Sequence, residues 1–296
     1  MPSLLVKVQK KMTIFAHQKV RNALEGEYGS VFKGRSMDFD DLRVYVPGDD
    51  VKDIDWKATA RSGQTLIRRY IAIRKHNIML VVNTGRSMAA TASSGENKRD
   101  VTVMTAGVIS YIAQKHGDLI ALVAGDKSHV QHMPLKGSTP HLERLLKHID
   151  DHISLKSDTS QLSNILDYVA RTIRRRMMLI IISDETEFTD DDERLFRRLQ
   201  AQHEVMFIRI DDSSPGNQEI IDEAIYDVDE ELALPQFIRR DVALEKAYQK
   251  DKEVRWHKAS GVLTHHQITS VDITSEEDVI PQIVLLLERQ KHAKRR

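Results

Sequence analysis

Three short segments of this 296-residue chain carry residue types that could do chemistry where a strand ends. Asn83-Thr84-Gly85-Arg86-Ser87-Met88 follows the apolar run Ile78 to Val82. Ser183-Asp184 follows Met177 to Ile182, and Ser157-Asp158-Thr159-Ser160 lies between the two. Ligands of parallel α/β sheets bind outside the carboxyl ends of the strands, so these hydroxyls and a carboxylate are expected to converge on one edge. Hard oxygen donors of this kind suit Mg²⁺. A second chemistry competes. Gly85-Arg86-Ser87-Met88-Ala89 is one residue away from a nucleophile elbow, and the chain order Ser87, Asp184, then His265 or His266 is that of an α/β-hydrolase triad. Ser87 would attack, the imidazole would take its proton and Asp184 would orient the ring. Against this, a helix should begin directly after the elbow, whereas Ala89 to Gly95 reads as a loop, and the sequence has no H-G-G-G-like oxyanion segment.

A separate cluster holds Arg43, Tyr45, Asp49, Asp50, Asp55, Trp56 and Arg61. Opposite charges at this density usually neutralise one another, which makes an ion-pair and turn network the plain reading. The sharper reading is a partner-facing element anchored by Tyr45 and Trp56, because aromatics are typical interface anchors. An EF-hand reading of Asp49 to Asp55 is weak, because the loop lacks the central Gly and the closing Glu at their required offsets.

The elements that must position these residues follow from periodicity. From Ile78 onward, apolar runs of strand length alternate with helical patterns: strands at 78–82, 119–124, 177–182, 205–210 and 267–273, and helices at 139–149, 160–175, 190–203, 236–256 and 279–287, with another through Val101, Met104, Val108 and Ile112. Residues 128–133 read as a short edge strand. The run Met177 to Ile182 has nothing polar for either face and belongs in the middle of the sheet. The predicted fold is a three-layer, doubly wound, mostly parallel α/β sheet. Ser36 to His76 differs, with alternating segments at 42–46 and 65–73 and turn signals at Pro47-Gly48 and Ser62-Gly63-Gln64, which predict an antiparallel accessory piece. Ser3 to Leu24 predicts an amphipathic helix with a basic outer face. The division expected is 1–76 for helix and accessory segment, 77–291 for the α/β domain and 292–296 for a basic tail.

Composition narrows the function classes. Lys+Arg and Asp+Glu are equal at 44 each, so bulk charge offers nucleic acid no attraction. The absence of Cys removes thiolate metal sites and cysteine nucleophiles and suits a reducing, cytoplasmic setting. No G-x-x-x-x-G-K-[ST] is present, so the chain is not itself a P-loop ATPase. No apolar run approaches the roughly 20 residues of a membrane span.

Phe39, Leu42-Arg43, Tyr45, Pro47-Gly48-Asp49-Asp50, Ile54-Asp55-Trp56 and Ala60-Arg61, with the strand-loop Val82 to Met88 and Ser183-Asp184, resemble the bacterial family labelled domain of unknown function fifty-eight. Members of that family have a core like the von Willebrand factor A domain and are associated with MoxR-type AAA+ ATPases. The resemblance implies a non-enzymatic adaptor for such an ATPase or its client. It also implies a metal-ion-dependent adhesion site built from D-x-S-x-S, a later Thr and a later Asp. Laid on this chain, the first Asp is Asn83 and the first Ser is Gly85, while Ser87 and Asp184 match; the Thr position falls on Thr159 or Ser160. Asn83 removes a negative charge and Gly85 removes an oxygen ligand. The expectation is a degenerate site, with no resident cofactor and Mg²⁺ as the one candidate.

Overall fold

The computed structural model describes residues 3–15, 24, 26, 28, 37–72, 76–213 and 242–293, which fall into two units: a larger one of residues 1–31 and 77–296, and a smaller one of residues 32–76. In the smaller unit β1 (Met37–Val44) pairs antiparallel with β2 (Leu66–Ala72), as the alternating segments predict. Between them lie a 3₁₀ turn (Val51–Asp53) and a helix α2 (Trp56–Ser62), the latter absent from the sequence expectation. Its ends explain it. The Asp55 carboxylate accepts from the N–H groups of Lys57 and Ala58, and Gly63 closes the helix at φ 70°, a conformation that favours glycine.

The larger unit is built on β3 (Asn77–Asn83), β4 (Leu119–Gly125), β5 (Val130–Lys136), β6 (Met178–Ser183), β7 (Glu204–Ile210) and β8 (Thr269–Ile273). Their spatial order is β5-β4-β3-β6-β7-β8, all parallel except the edge strand β5, which runs antiparallel to β4. The predicted fold class is therefore observed, and the MMLIII run sits mid-sheet. Alternate residues serve the two faces. Met79, Val81, Ala121, Val123, Leu179, Ile181, Val205 and Phe207 pack with residues of α5 (Leu162–Thr172), α6 (Asp190–Gln202) and α7 (Val242–His265). The opposite face is covered by α3 (Lys98–Lys115), α4 (Thr139–His152) and α8 (Val279–Ala293). Period-two burial on both faces is what a doubly covered sheet requires.

The N-terminal helix α1 (Leu4–Phe15) belongs with this unit, not with the β segment that the sequence grouped it with. Leu5, Val8 and Met12 are buried, and Gly107 of α3 lets the Val8 side chain press onto the helix backbone where a Cβ would collide. Glu143 of α4 accepts from the N–H groups of Leu4 and Leu5 and from the Ser3 hydroxyl, supplying the cap that the helix start needs. The basic face is tethered too, through ion pairs of Lys7 and Lys11 with Glu276. The expected helix continues to Leu24, but residues 16–23 lie outside the described residues, as do 214–241, which include the start of the helix expected at 236, and the last residues of the basic tail. Among the described residues no helix is long and apolar enough to cross a membrane.

Candidate functional site

Counted from β3, the strand order of the larger unit is 3-2-1-4-5-6, which reverses between β3 and β6. That reversal is the switch point at which an open α/β sheet leaves a crevice. Asn83 ends β3, Ser183 ends β6 and Asp184 follows it, so the candidate residues stand on both lips.

Asn83 is fully buried and uses both ends of its amide. Nδ2 donates to Ser183 Oγ at 3.3 Å and to Asp184 Oδ1 at 3.4 Å, and Oδ1 accepts from the Gly85 N–H at 3.0 Å. An Asp at this position could not donate and would set a second carboxylate against Asp184. Asn83 thus bridges the two strand ends.

Gly85 has an equally local reason. A Cβ there would lie 2.6 Å from both Cα and N of Ser160, backbone atoms that cannot swing aside. Ser160 occupies the space, and its hydroxyl meets Ser87 Oγ at 2.5 Å. Thr159 instead turns to its neighbour, donating its N–H to Asp158 Oδ1 at 2.7 Å. Of the two candidates for the later hydroxyl position, Ser160 is the one brought to Ser87. Neither it nor Thr159 caps a helix: α5 begins at Leu162 with Gln161 as its cap residue. The loops are laced by main-chain bonds, Arg86 N–H to Asp158 O at 2.9 Å, Thr84 N–H to Gly125 O at 2.7 Å and Lys127 N–H to Thr159 O at 3.0 Å. Gly85→Ser is therefore expected to cost about 1–3 kcal/mol through overpacking. Urea denaturation checks this against Gly261→Ser, where nothing lies within 4 Å; equal midpoints for the two variants would contradict the crowding.

The residue that sequence reasoning missed is Lys98. It opens α3, is 0% exposed, and its Nζ lies 2.8 Å from Asp184 Oδ2 and 3.2 Å from Asp212 Oδ1. A signal existed: a lysine in the first turn of a helix sits at the positive end of the macrodipole, the wrong end for a cation, and needs a compensating anion. The backbone fixes it. Lys98 N–H donates to Ala90 O, Asn97 caps the helix, and the 91–97 loop is strapped to the Asp212 strand end through Ala92 and Ser213. Burial disfavours the charge on Lys98, but the two carboxylates outweigh it and hold the ammonium above the ordinary lysine range. Burial likewise pushes Asp184 up, and Lys98 with the hydrogen bonds from Lys98 and Ser87 brings it below the usual carboxylate range.

Beyond Asp212 the ion pairs continue. Arg209 reaches Asp211 at 3.0 Å and Asp272 at 2.9 Å, Lys252 reaches Asp211 at 3.0 Å, and the Arg209 guanidinium stacks 4.2 Å from the Trp256 ring centroid. On the other side of β3 opens a polar cavity of about 390 Å³, whose wall includes Thr84, His129, His148 and His152.

The hydrolase constellation is not assembled. His265 ends α7 and His266 precedes β8, at the amino edge of the sheet, whereas Ser87 lies beyond the carboxyl edge of β3, three strands away. A seven-residue strand separates those edges by roughly 20 Å. The nearest acidic partner of His266 is Glu193, at 3.6 Å.

In the smaller unit, Arg43 pairs with Asp49 at 2.5 Å, and Asp50 and Asp55 cap the 3₁₀ turn and α2 with their carboxylates. The acids here serve turns and caps as much as ion pairs. Tyr45 is half-buried, Arg61 is exposed in the last turn of α2, and Trp56 is 66% exposed.

The family model described as "Protein of unknown function DUF58" matches residues 41–255. The chain is similar to the uncharacterized protein Rv1480 of Mycobacterium tuberculosis, 28% identical over 204 residues, 68% of this chain and 63% of that protein. It thus spans under two thirds of the length of the curated relatives it matches. Among solved structures it is similar to an aerotolerance-related membrane protein from Bacteroides fragilis, with 10% identity, a TM-score of 0.46, and 72% of this chain and 98% of that one covered. It is also similar to a von Willebrand factor type A protein from Catenulispora acidiphila, with 9% identity, a TM-score of 0.43, and coverages of 76% and 45%.

Proposed function

Because this chain belongs to the DUF58 family, we propose that it is a non-catalytic protein-interaction module, an adaptor working in the cytoplasm with a MoxR-type AAA+ ATPase. One observation carries the reading. Seven large hydrophobics are exposed among the described residues, and four of them, Val44, Val46, Val51 and Trp56, fall within the 13 residues from 44 to 56. Scattered apolar exposure is ordinary, but a concentration within one short segment that includes an exposed aromatic suits an interface. The exposed residues lie in the part of the sequence that carries the family pattern most densely. On this reading the smaller unit supplies the docking anchor and the α/β unit presents its sheet-top loops to the partner or client, while ATP is hydrolysed by the other protein.

Biolayer interferometry between the full chain and a MoxR-type ATPase of the same organism tests this. Saturable binding at micromolar concentration or tighter is expected, with and without ATP. A folded chain that shows no binding to that ATPase would sink the adaptor reading.

A further inference from the structure

We infer that the ammonium of Lys98 is the resident cation of the sheet-top site and takes the place of a divalent metal ion there, so that this site works without metal. The inference rests on the residues of the larger unit alone and stands apart from the ATPase reading.

The donor set does not fit a hard divalent ion. Such an ion needs oxygen lone pairs turned toward it, six of them for Mg²⁺. Asn83 instead turns its NH₂ to Asp184, and its oxygen is bound to the Gly85 N–H. Position 85 has no side-chain oxygen, and the crowding by Ser160 shows that it has no room for one. Ser87 and Ser160 are hydrogen-bonded to each other. Asp184, the anion that remains, is held by Lys98 at 2.8 Å.

The charges are met from within the larger unit: the Lys98 ammonium lies 2.8 Å from Asp184 and 3.2 Å from Asp212, and its removal would leave the buried Asp184 carboxylate without a cation. Lys98 is moreover a fixture. Its backbone is tied at both ends, through its own N–H to Ala90 O and through its carbonyl, which accepts from Thr102 Oγ1 at 2.7 Å.

Lys98→Ala separates a resident cation from an ordinary ion-pair partner. Truncation vacates the space between Asp184 and Asp212 and leaves two carboxylates beside two hydroxyls, a set that Mn²⁺ can use. Thermal melts in EDTA and in millimolar Mn²⁺ are expected to coincide for the wild-type chain and for Lys98→Arg. For Lys98→Ala, the melt is expected to rise with Mn²⁺ by about 2–4 °C, a gain that Asp184→Asn removes. If Lys98→Ala does not fold in EDTA, recovery on refolding in Mn²⁺ gives the same support. A wild-type melt raised by Mn²⁺ and dependent on Asp184 would overturn the inference. So would a Lys98→Ala protein that is destabilised, or fails to refold, and is indifferent to Mn²⁺, because Lys98 would then be a structural partner and nothing more.

Discussion

Lys98→Met is expected to destabilise the α/β unit by about 3–5 kcal/mol, the usual result of removing one partner from a buried ion pair. Methionine keeps most of the side-chain volume and removes only the charge, so cavity formation contributes little. What remains is Asp184, 9% exposed at its side chain, facing Asp212 with no cation between them. The loss corresponds to a fall of roughly 6–20 °C in Tm for a unit of this size. Lys147→Met, on the exposed face of α4, provides the control and should stay within about 0.5 kcal/mol of wild type. Adding Asp184→Asn to Lys98→Met should recover part of the loss, since the second substitution removes the carboxylate that the first left unpaired. Chemical denaturation of wild type, Lys98→Met, Asp184→Asn and the double variant measures the coupling, and additive losses would mean that the contact contributes nothing.

Trp56→Ala is expected to weaken binding to the ATPase by about thirtyfold, near 2 kcal/mol, the scale of an aromatic hot spot. Stability should barely change, because the side chain is 66% exposed and alanine is the better helix former in the first position of α2. That separation makes the measurement clean, as a folded variant reports on the surface alone. Val254→Ala removes a comparably exposed hydrophobic, 58%, from helix α7 of the other unit and is expected to leave the affinity unchanged. Equal losses from the two variants would place the interface elsewhere.

How far the sequence reached depended on the range of each interaction. The sheet was legible because alternation and apolar runs are local. Met177 to Ile182 could only be a central strand, and the Asn83 and Ser183-Asp184 loops followed from the strands before them. Helix α2 was obscured by its length of seven residues and its lack of an apolar stripe, although the Asp55 cap and the Gly63 stop were in plain view. Ser160 is a hydroxyl residue just before a helix, the usual cap signature, yet its oxygen goes to Ser87, 73 residues away. Lys98 lies 86 residues from Asp184, and no periodicity reports a contact of that kind. Its trace was the misplaced charge at a helix start. Asn83 and Gly85 could be read as losses to a metal site, but that they have positive roles, as a bridge and as a space for Ser160, needed the fold.

The most direct test of a sheet top held by its own lysine is a crystal structure of the wild-type chain soaked in millimolar Mn²⁺, with anomalous scattering recorded above the manganese edge. The Lys98 ammonium should lie between Asp184 and Asp212 with no anomalous peak in the crevice between Asn83 and Ser160. A manganese peak on Asp184 and Ser87, with the Lys98 side chain swung away, would contradict it.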